Sequence, residues 1–320
     1  MKNKYRNGLV LGGGGSKGFA HIGAIIEMEE QSLRPDIICG TSAGALAGAF
    51  YAVHGEKITE FRKIEDTREF KILKELKLGN IDFQEEKQGL FIKTVNTVKA
   101  KFSMIKMLMD TAVLKKEEIV PVFRNLFGNT QFGDTGIPFI SAAFDIVSGR
   151  DVYIKSGPLW KGVMASCSIP GIFPPVEYND MILVDGGVTC RFPVKCAVLS
   201  GAGNIVGIDL SGTLNFEKEI NSVVDLHLRI DALLTNRFDI YNKIMADLVI
   251  KPDLGNMRWD EFGRYSYAME KGRDSVKQKL SEIREVRSRY YGYKKNILSL
   301  LGNFEQKKLR MIDKEEYLFV

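Results

Sequence analysis

Ile37-Ile38-Cys39-Gly40-Thr41-Ser42-Ala43-Gly44 reads as an apolar strand that turns at a serine held between two glycines. A strand that bends at once into a helix forces the residue at the bend into a strained backbone conformation. Only small neighbours two positions either side leave room for it, hence Gly40 and Gly44. The following Ala45-Leu46-Ala47-Gly48-Ala49-Phe50-Tyr51-Ala52 is small and apolar, suited to a helix packed closely on a sheet with its N-terminal dipole near the serine. Ser42 therefore reads as a nucleophile on an elbow, pushed out at the tip of a sheet.

Working outward, two further segments share that strand-then-turn grammar. Leu9-Val10-Leu11 runs into Gly12-Gly13-Gly14-Gly15-Ser16-Lys17-Gly18 and then into a helical pattern. Consecutive glycines at such a turn present backbone N–H groups with no side chain in the way, which suits an anion or oxyanion. Met181-Ile182-Leu183-Val184 runs into Asp185-Gly186-Gly187, which sets a carboxylate at a strand end where it can meet the serine.

The chain resembles the patatin-like phospholipases. The glycine-rich element of that family matches Gly12 to Gly18, its nucleophile element Gly40 to Gly44, and its D-G-[GA] element Asp185-Gly186-Gly187. Ala165-Ser166-Cys167-Ser168-Ile169-Pro170 to Val176 is similar to its serine- and proline-rich segment, and the resemblance covers roughly 6–210. It implies a serine–aspartate dyad: Ser42 attacks an ester carbonyl, Asp185 takes the proton, and the loop Gly12, Gly13, Gly14, Lys17 stabilises the oxyanion, chiefly through N–H groups at Gly13 and Gly14. Aspartate has a reference pKa of about 3.9, so this role requires burial to raise it. Many members carry an asparagine and a proline after D-G-G; here the run is Val188-Thr189-Cys190-Arg191-Phe192-Pro193, which keeps the proline alone.

Short apolar strands alternate with helical patterns, at Gly8–Leu11, Asp36–Cys39, Phe139–Ala143, Asp151–Ile154, Met181–Val184, Ile205–Asp209 and Leu248–Ile250. This alternation predicts an α/β fold of three layers, α/β/α, with a largely parallel central sheet. At 320 residues, 45% hydrophobic and 27% charged, the chain is divided into a catalytic domain over 6–270 and a basic helical extension over 271–320. That extension carries thirteen Lys or Arg against seven Asp or Glu, while the whole chain has a net charge of +5. Such an end suits an anionic membrane surface, although a solvated charged face is the commoner reading.

No signal peptide or spanning segment is readable, which points to the cytoplasm, and four cysteines without a C-x-x-C pair and three histidines argue against a metal site. No cofactor and no nucleic acid are expected; the expected partner is a lipid ester. Two rival readings remain: a catalytically silent lipid-binding or scaffolding protein on the same fold, and a dinucleotide site, since Gly13 to Gly18 also satisfies G-x-G-x-x-G.

Lys17 has two readings, a cation at the oxyanion loop or, slightly favoured, an anchor paired with a carboxylate. Asp145 reads as a structural carboxylate tying down the turn before Ser148-Gly149-Arg150, and His21 as a packed or capping residue. The methionine-rich stretch Lys99 to Leu114 is read either as a lid or as a buried core helix.

Overall fold

A computed structural model describes residues 4–58, 112, 114–212, 223–289 and 317–320. Of the stretch 99–114, only Ala112 and Leu114 fall within it, so the choice between lid and core helix lies outside the described residues. One sheet organises the molecule, in the order β5-β6-β3-β2-β1-β7-β8. Its strands are β1 (Tyr5–Leu11), β2 (Ile37–Thr41), β3 (Phe139–Asp145), β4 (Arg150–Ile154), β5 (Val176–Tyr178), β6 (Met181–Asp185), β7 (Ala202–Ile208), β8 (Leu248–Ile250) and β9 (Tyr317–Phe319). β4 pairs with β3 off this path, and β9 pairs with β4.

From β3 to β8 every pairing is parallel, as expected. Antiparallel pairs are added at the other end, β3 with β4 and with β6, and β5 with β6. Connection length explains the difference. A parallel neighbour requires a crossover of a dozen or more residues, whereas β3 reaches β4 through 146–149 and β5 reaches β6 through Asn179 and Asp180 alone.

The central strands are buried on both faces. Leu9, Leu11 and Ile38 enter one core, with residues of α1 (Phe19–Glu30), α2 (Ala43–His54), α3 (Lys116–Phe127) and α4 (Leu159–Ser166). Val10, Ile37 and Cys39 enter the other, with Phe192 and with Val194, Cys196 and Ala197 of α5 (Val194–Leu199). This is the alternation that a strand imposes, and each fully buried Leu or Ile contributes about 1.5–3 kcal/mol.

Three later helices complete the description: α6 (Val223–Ile244), α7 (Tyr265–Gln278) and α8 (Leu280–Ser288). Met269 and Val276 of α7 and Ile283 and Val286 of α8 belong to the first core. Arg273 of α7 also bonds the buried Glu27 of α1 at 2.9 Å.

The register of β3 positions the site. β2 pairs with it as far as Thr41 opposite Ala142, and β6 pairs with it from Asp185 opposite Ala143. β4 occupies Ser141 to Asp145 along the other edge. β2 and β6 therefore share one edge and meet end to end, so the residues that follow Thr41 and those at Asp185 must come together.

Candidate active site

Ser42 sits between β2 and α2 with φ 54° and ψ −123°, a conformation that side-chain-bearing residues avoid at a cost of about 1–3 kcal/mol. The surroundings over-determine it. Its N–H donates to Ser166 Oγ at 2.9 Å, and that hydroxyl donates in turn to the Ala142 carbonyl at 2.5 Å. Its carbonyl accepts from Leu46 N–H at 3.0 Å and from Cys167 Sγ at 3.3 Å. A Cβ on Gly40 would stand 2.5 Å from the Gly44 carbonyl oxygen, and one on Gly44 would run into the Leu11 carbonyl. Those two glycines let β1, β2 and α2 converge.

The Ser42 hydroxyl lies close enough to the Asp185 carboxylate to pull its pKa down. Asp185 is buried, and burial pushes its pKa up to about 6, against the pull of the Ser42 hydroxyl, the Gly187 N–H and the charge of Arg191. The Gly187 N–H reaches Asp185 Oδ1 at 2.6 Å. Asp185 N–H donates to the Ser168 carbonyl at 2.9 Å, so 165–168 buttresses the serine and the aspartate alike. Thr41 Oγ1 donates to the Cys190 carbonyl at 3.0 Å and ties the elbow strand to the aspartate loop.

The glycine loop lies beside the serine. A Cβ on Gly13 would stand 3.4 Å from both Ser42 Cβ and Arg191 Cγ. The Gly13 N–H, expected to face an oxyanion, donates instead to the Arg191 carbonyl at 2.8 Å, and Gly12 N–H donates to Ile208 at 3.1 Å. Buried backbone donors rarely go unpaired, and both of these belong to buried glycines that find partners inside the protein. The N–H groups of Gly14 and Gly15 have no protein acceptor among the described residues, and both glycines are half-buried. The available donors are thus shifted by one residue along the loop.

Lys17 forms no ion pair among the described residues, although the charge of Glu261 acts on it. Burial, then the charges of Arg191 and Lys251, push its pKa down against the pull of Glu261, and its half-buried side chain stands beside the loop. His21 anchors the loop. It is buried, burial lowers its pKa to about 4, and its Nε2 is 2.7 Å from the Gly12 carbonyl, which requires the Nε2–H form. Asp145 does tie down its turn, accepting from Val147 N–H, Ser148 N–H and Oγ, and Ile182 N–H.

Ser166, Thr41 and Arg191 were not singled out as site residues from the sequence. Ser166 stood inside the quoted serine- and proline-rich segment, and Arg191 inside the run after Asp185-Gly186-Gly187 that lacks the family asparagine. Arg191 Nε lies 3.9 Å from Asp239 of α6. No cluster of three or more potential metal ligands occurs among the described residues.

Three comparisons with known proteins bear on this arrangement. Lysophospholipase NTE1 of Meyerozyma guilliermondii is 25% identical over 288 residues, which cover 81% of this chain and 18% of that protein. An uncharacterized NTE family protein of Mycobacterium bovis is 26% identical over 209 residues, 65% of this chain and 50% of that one. The chain therefore spans half or less of the length of these relatives. Among solved structures, the heterodimeric ExoU–SpcU complex from the type III secretion system of Pseudomonas aeruginosa matches with a TM-score of 0.41 and 16% identity, over 88% of this chain and 52% of that one. The family described as patatin-like phospholipase matches residues 9–198. That stretch is more than half of the 320 residues and runs through every loop that meets at Ser42: the chain belongs to the patatin-like phospholipase family.

Proposed function

We propose that the protein is a serine acyl hydrolase that cleaves carboxylic esters of lipids, with Ser42 as nucleophile and Asp185 as general base. One observation carries the reading: β2 and β6 end head-on along one edge of β3, which sets a strained serine beside a buried carboxylate whose pKa is pushed up to about 6. Such a carboxylate is a far better proton acceptor than aspartate in water, yet it is still mostly ionised at pH 7.

Ser42 Oγ attacks the ester carbonyl while its proton passes to Asp185. The N–H groups of Gly14 and Gly15 hold the oxyanion, and Lys17 adds positive potential beside them. Collapse expels the alcohol, which takes the proton from Asp185. Water, deprotonated by Asp185, then attacks the acyl-serine and restores Ser42. Similarity to Lysophospholipase NTE1 supports a lysophospholipid as the ester, and membership of the patatin-like phospholipase family supports a phospholipid.

Peripheral contact with an anionic bilayer and residence in the cytoplasm belong to the same reading. No helix among the described residues is long and apolar enough to cross a membrane, and all four cysteines are free thiols. A fluorophosphonate probe tests the reading. Labelling of the wild-type protein that is lost in folded Ser42→Ala, together with hydrolysis of a lysophospholipid, is the expected result. A folded wild-type protein that neither labels nor hydrolyses any ester would favour the silent lipid-binding reading instead.

A further inference from the structure

Among its described side chains, helix α6 is built inside out. Its buried residues include Thr235, Asp239 and Asn242, all polar. Leu226, Ile230, Leu234, Phe238, Tyr241 and Ile244 follow one another at spacings of four and three, which makes a single stripe on the opposite side. Their side of the helix faces water, with 42–65% of each residue exposed. A surface helix of a soluble protein normally does the reverse.

The polar side explains itself through the site. Asp239 lies 3.9 Å from Arg191, Asn242 Nδ2 lies 3.7 Å from Cys190 Sγ, and Lys243 bonds Asp209 at 2.8 Å. The first two contacts set α6 against the aspartate loop and the third against the end of β7, which leaves its apolar stripe outside. Both loops that flank Ser42 also expose a large apolar residue. Val188 follows the Asp185 turn directly, and Trp259, whose carbonyl accepts the Ser16 N–H at 2.6 Å, sits on the glycine loop; both are more than a third exposed.

We propose that the outer face of α6, with Val188 and Trp259, is a docking surface for an anionic lipid bilayer, which seats the Ser42 site on the membrane that supplies its substrate. The choice of occupant rests on the lipid-hydrolase reading. Large apolar groups rim the loops of the site, and a protein bound there would stand between the serine and its substrate, whereas a bilayer delivers that substrate. Charge agrees: Arg237 is exposed within the stripe, Arg229 flanks it, and the chain carries a net charge of +5. The helix lies on the surface rather than crossing it, because Asp231, Asp239 and Lys243 interrupt its length.

Flotation with phosphatidylglycerol and phosphatidylcholine vesicles tests this, using the full chain with Ser42→Ala so that the lipid survives. Binding to phosphatidylglycerol that falls at least tenfold in Ile230→Gln/Leu234→Gln/Phe238→Gln/Tyr241→Gln, and that weakens with salt and in Arg237→Glu, is expected. With Ser42 restored, the fourfold variant should keep its turnover of p-nitrophenyl butyrate and lose turnover on vesicles. If the fourfold variant fails to fold, Phe238→Glu alone supplies the same comparison. Equal vesicle binding by wild type and variant overturns the docking surface. So does a wild-type dimer that binds no vesicles and that the substitutions convert to monomer. Hydrolysis of the soluble ester without vesicle binding refutes the docking and leaves the hydrolase reading intact; vesicle binding by a chain that cleaves no ester does the opposite.

Discussion

Replacing Asp185 by asparagine should stop catalysis and, at neutral pH, make the protein more stable. Burial raises the carboxyl from its ordinary 3.8 to about 6, so the folded protein holds a proton that the unfolded chain has already released. Between about pH 4 and 6 the native state binds more protons than the unfolded one, and stability therefore falls as pH rises through that window. At about 1.4 kcal/mol per pH unit, the loss comes to about 3 kcal/mol by pH 7, on a native fold worth about 5–15 kcal/mol. That figure already contains the opposing pull of the Ser42 hydroxyl, the Gly187 N–H and Arg191. Asparagine keeps the volume and the acceptor for Gly187 but has no proton to release. Urea denaturation of both proteins at pH 4.5 and 7.5 reads the effect without any need to know the constant steric cost of the amide. The stability of Asp185→Asn relative to wild type should grow by about 2 kcal/mol between the two pH values, since about 1 of the 3 is already lost at pH 4.5, while turnover of a soluble ester falls by about 10²–10⁴. The wild-type kcat/KM should rise with pH below about 6 and level off above it. Parallel stability curves would show that Asp185 is not held up in the folded state, and near-normal turnover of the variant would remove it as the base.

The strain at Ser42 gives a second test: Ser42→Gly should raise stability by about 1 kcal/mol, as relief of the backbone outweighs the entropy of glycine, and a lower melting temperature would contradict the assigned strain. Ser166→Ala leaves the Ser42 N–H and the Ala142 carbonyl without their partner, so it should cost about 1–3 kcal/mol and reduce kcat, both read by melts and ester assays. In Gly14→Val the new Cβ would stand 2.9 Å from Leu210 Cβ, so the loop must shift and turnover should fall at least tenfold; unchanged kcat/KM would take Gly14 out of the oxyanion role.

The three loops were legible because each is written in one continuous run. Gly40 to Gly44, Gly12 to Gly18 and Asp185 to Gly187 all announce a strand end followed by a turn, and the seven predicted strands all exist, although their ends differ by up to three residues. What stayed hidden depends on contacts between distant runs. Nothing in Gly13 itself says that its N–H would meet the carbonyl of Arg191, 178 positions away, so the donor count along the glycine loop came out one residue early. The surroundings of Lys17 stayed hidden for a related reason, because its neighbours Arg191, Lys251 and Glu261 are brought beside it by folding alone. The antiparallel end of the sheet was within reach: the four residues that separate β3 from β4 are too few for a crossover, and that length is visible in the sequence.

The parallel half of the sheet supplies two of these loops and the antiparallel half the third, and this division of labour follows from the edge of β3. A purely parallel sheet would send every strand end to the same rim, where loops lie side by side. Here β6 runs against β3, so its final residue, Asp185, stops opposite Ala143 just where Thr41 of β2 stops opposite Ala142. Two chain ends that approach head-on cannot both continue along that edge. β2 turns off into α2 through the strained Ser42, and β6 turns off through Gly186 and Gly187, whose N–H caps the carboxylate. The sharp elbow and the buried aspartate are thus two consequences of one collision. A change that lengthened either strand by a residue would separate the hydroxyl from the carboxylate before it disturbed any other part of the core.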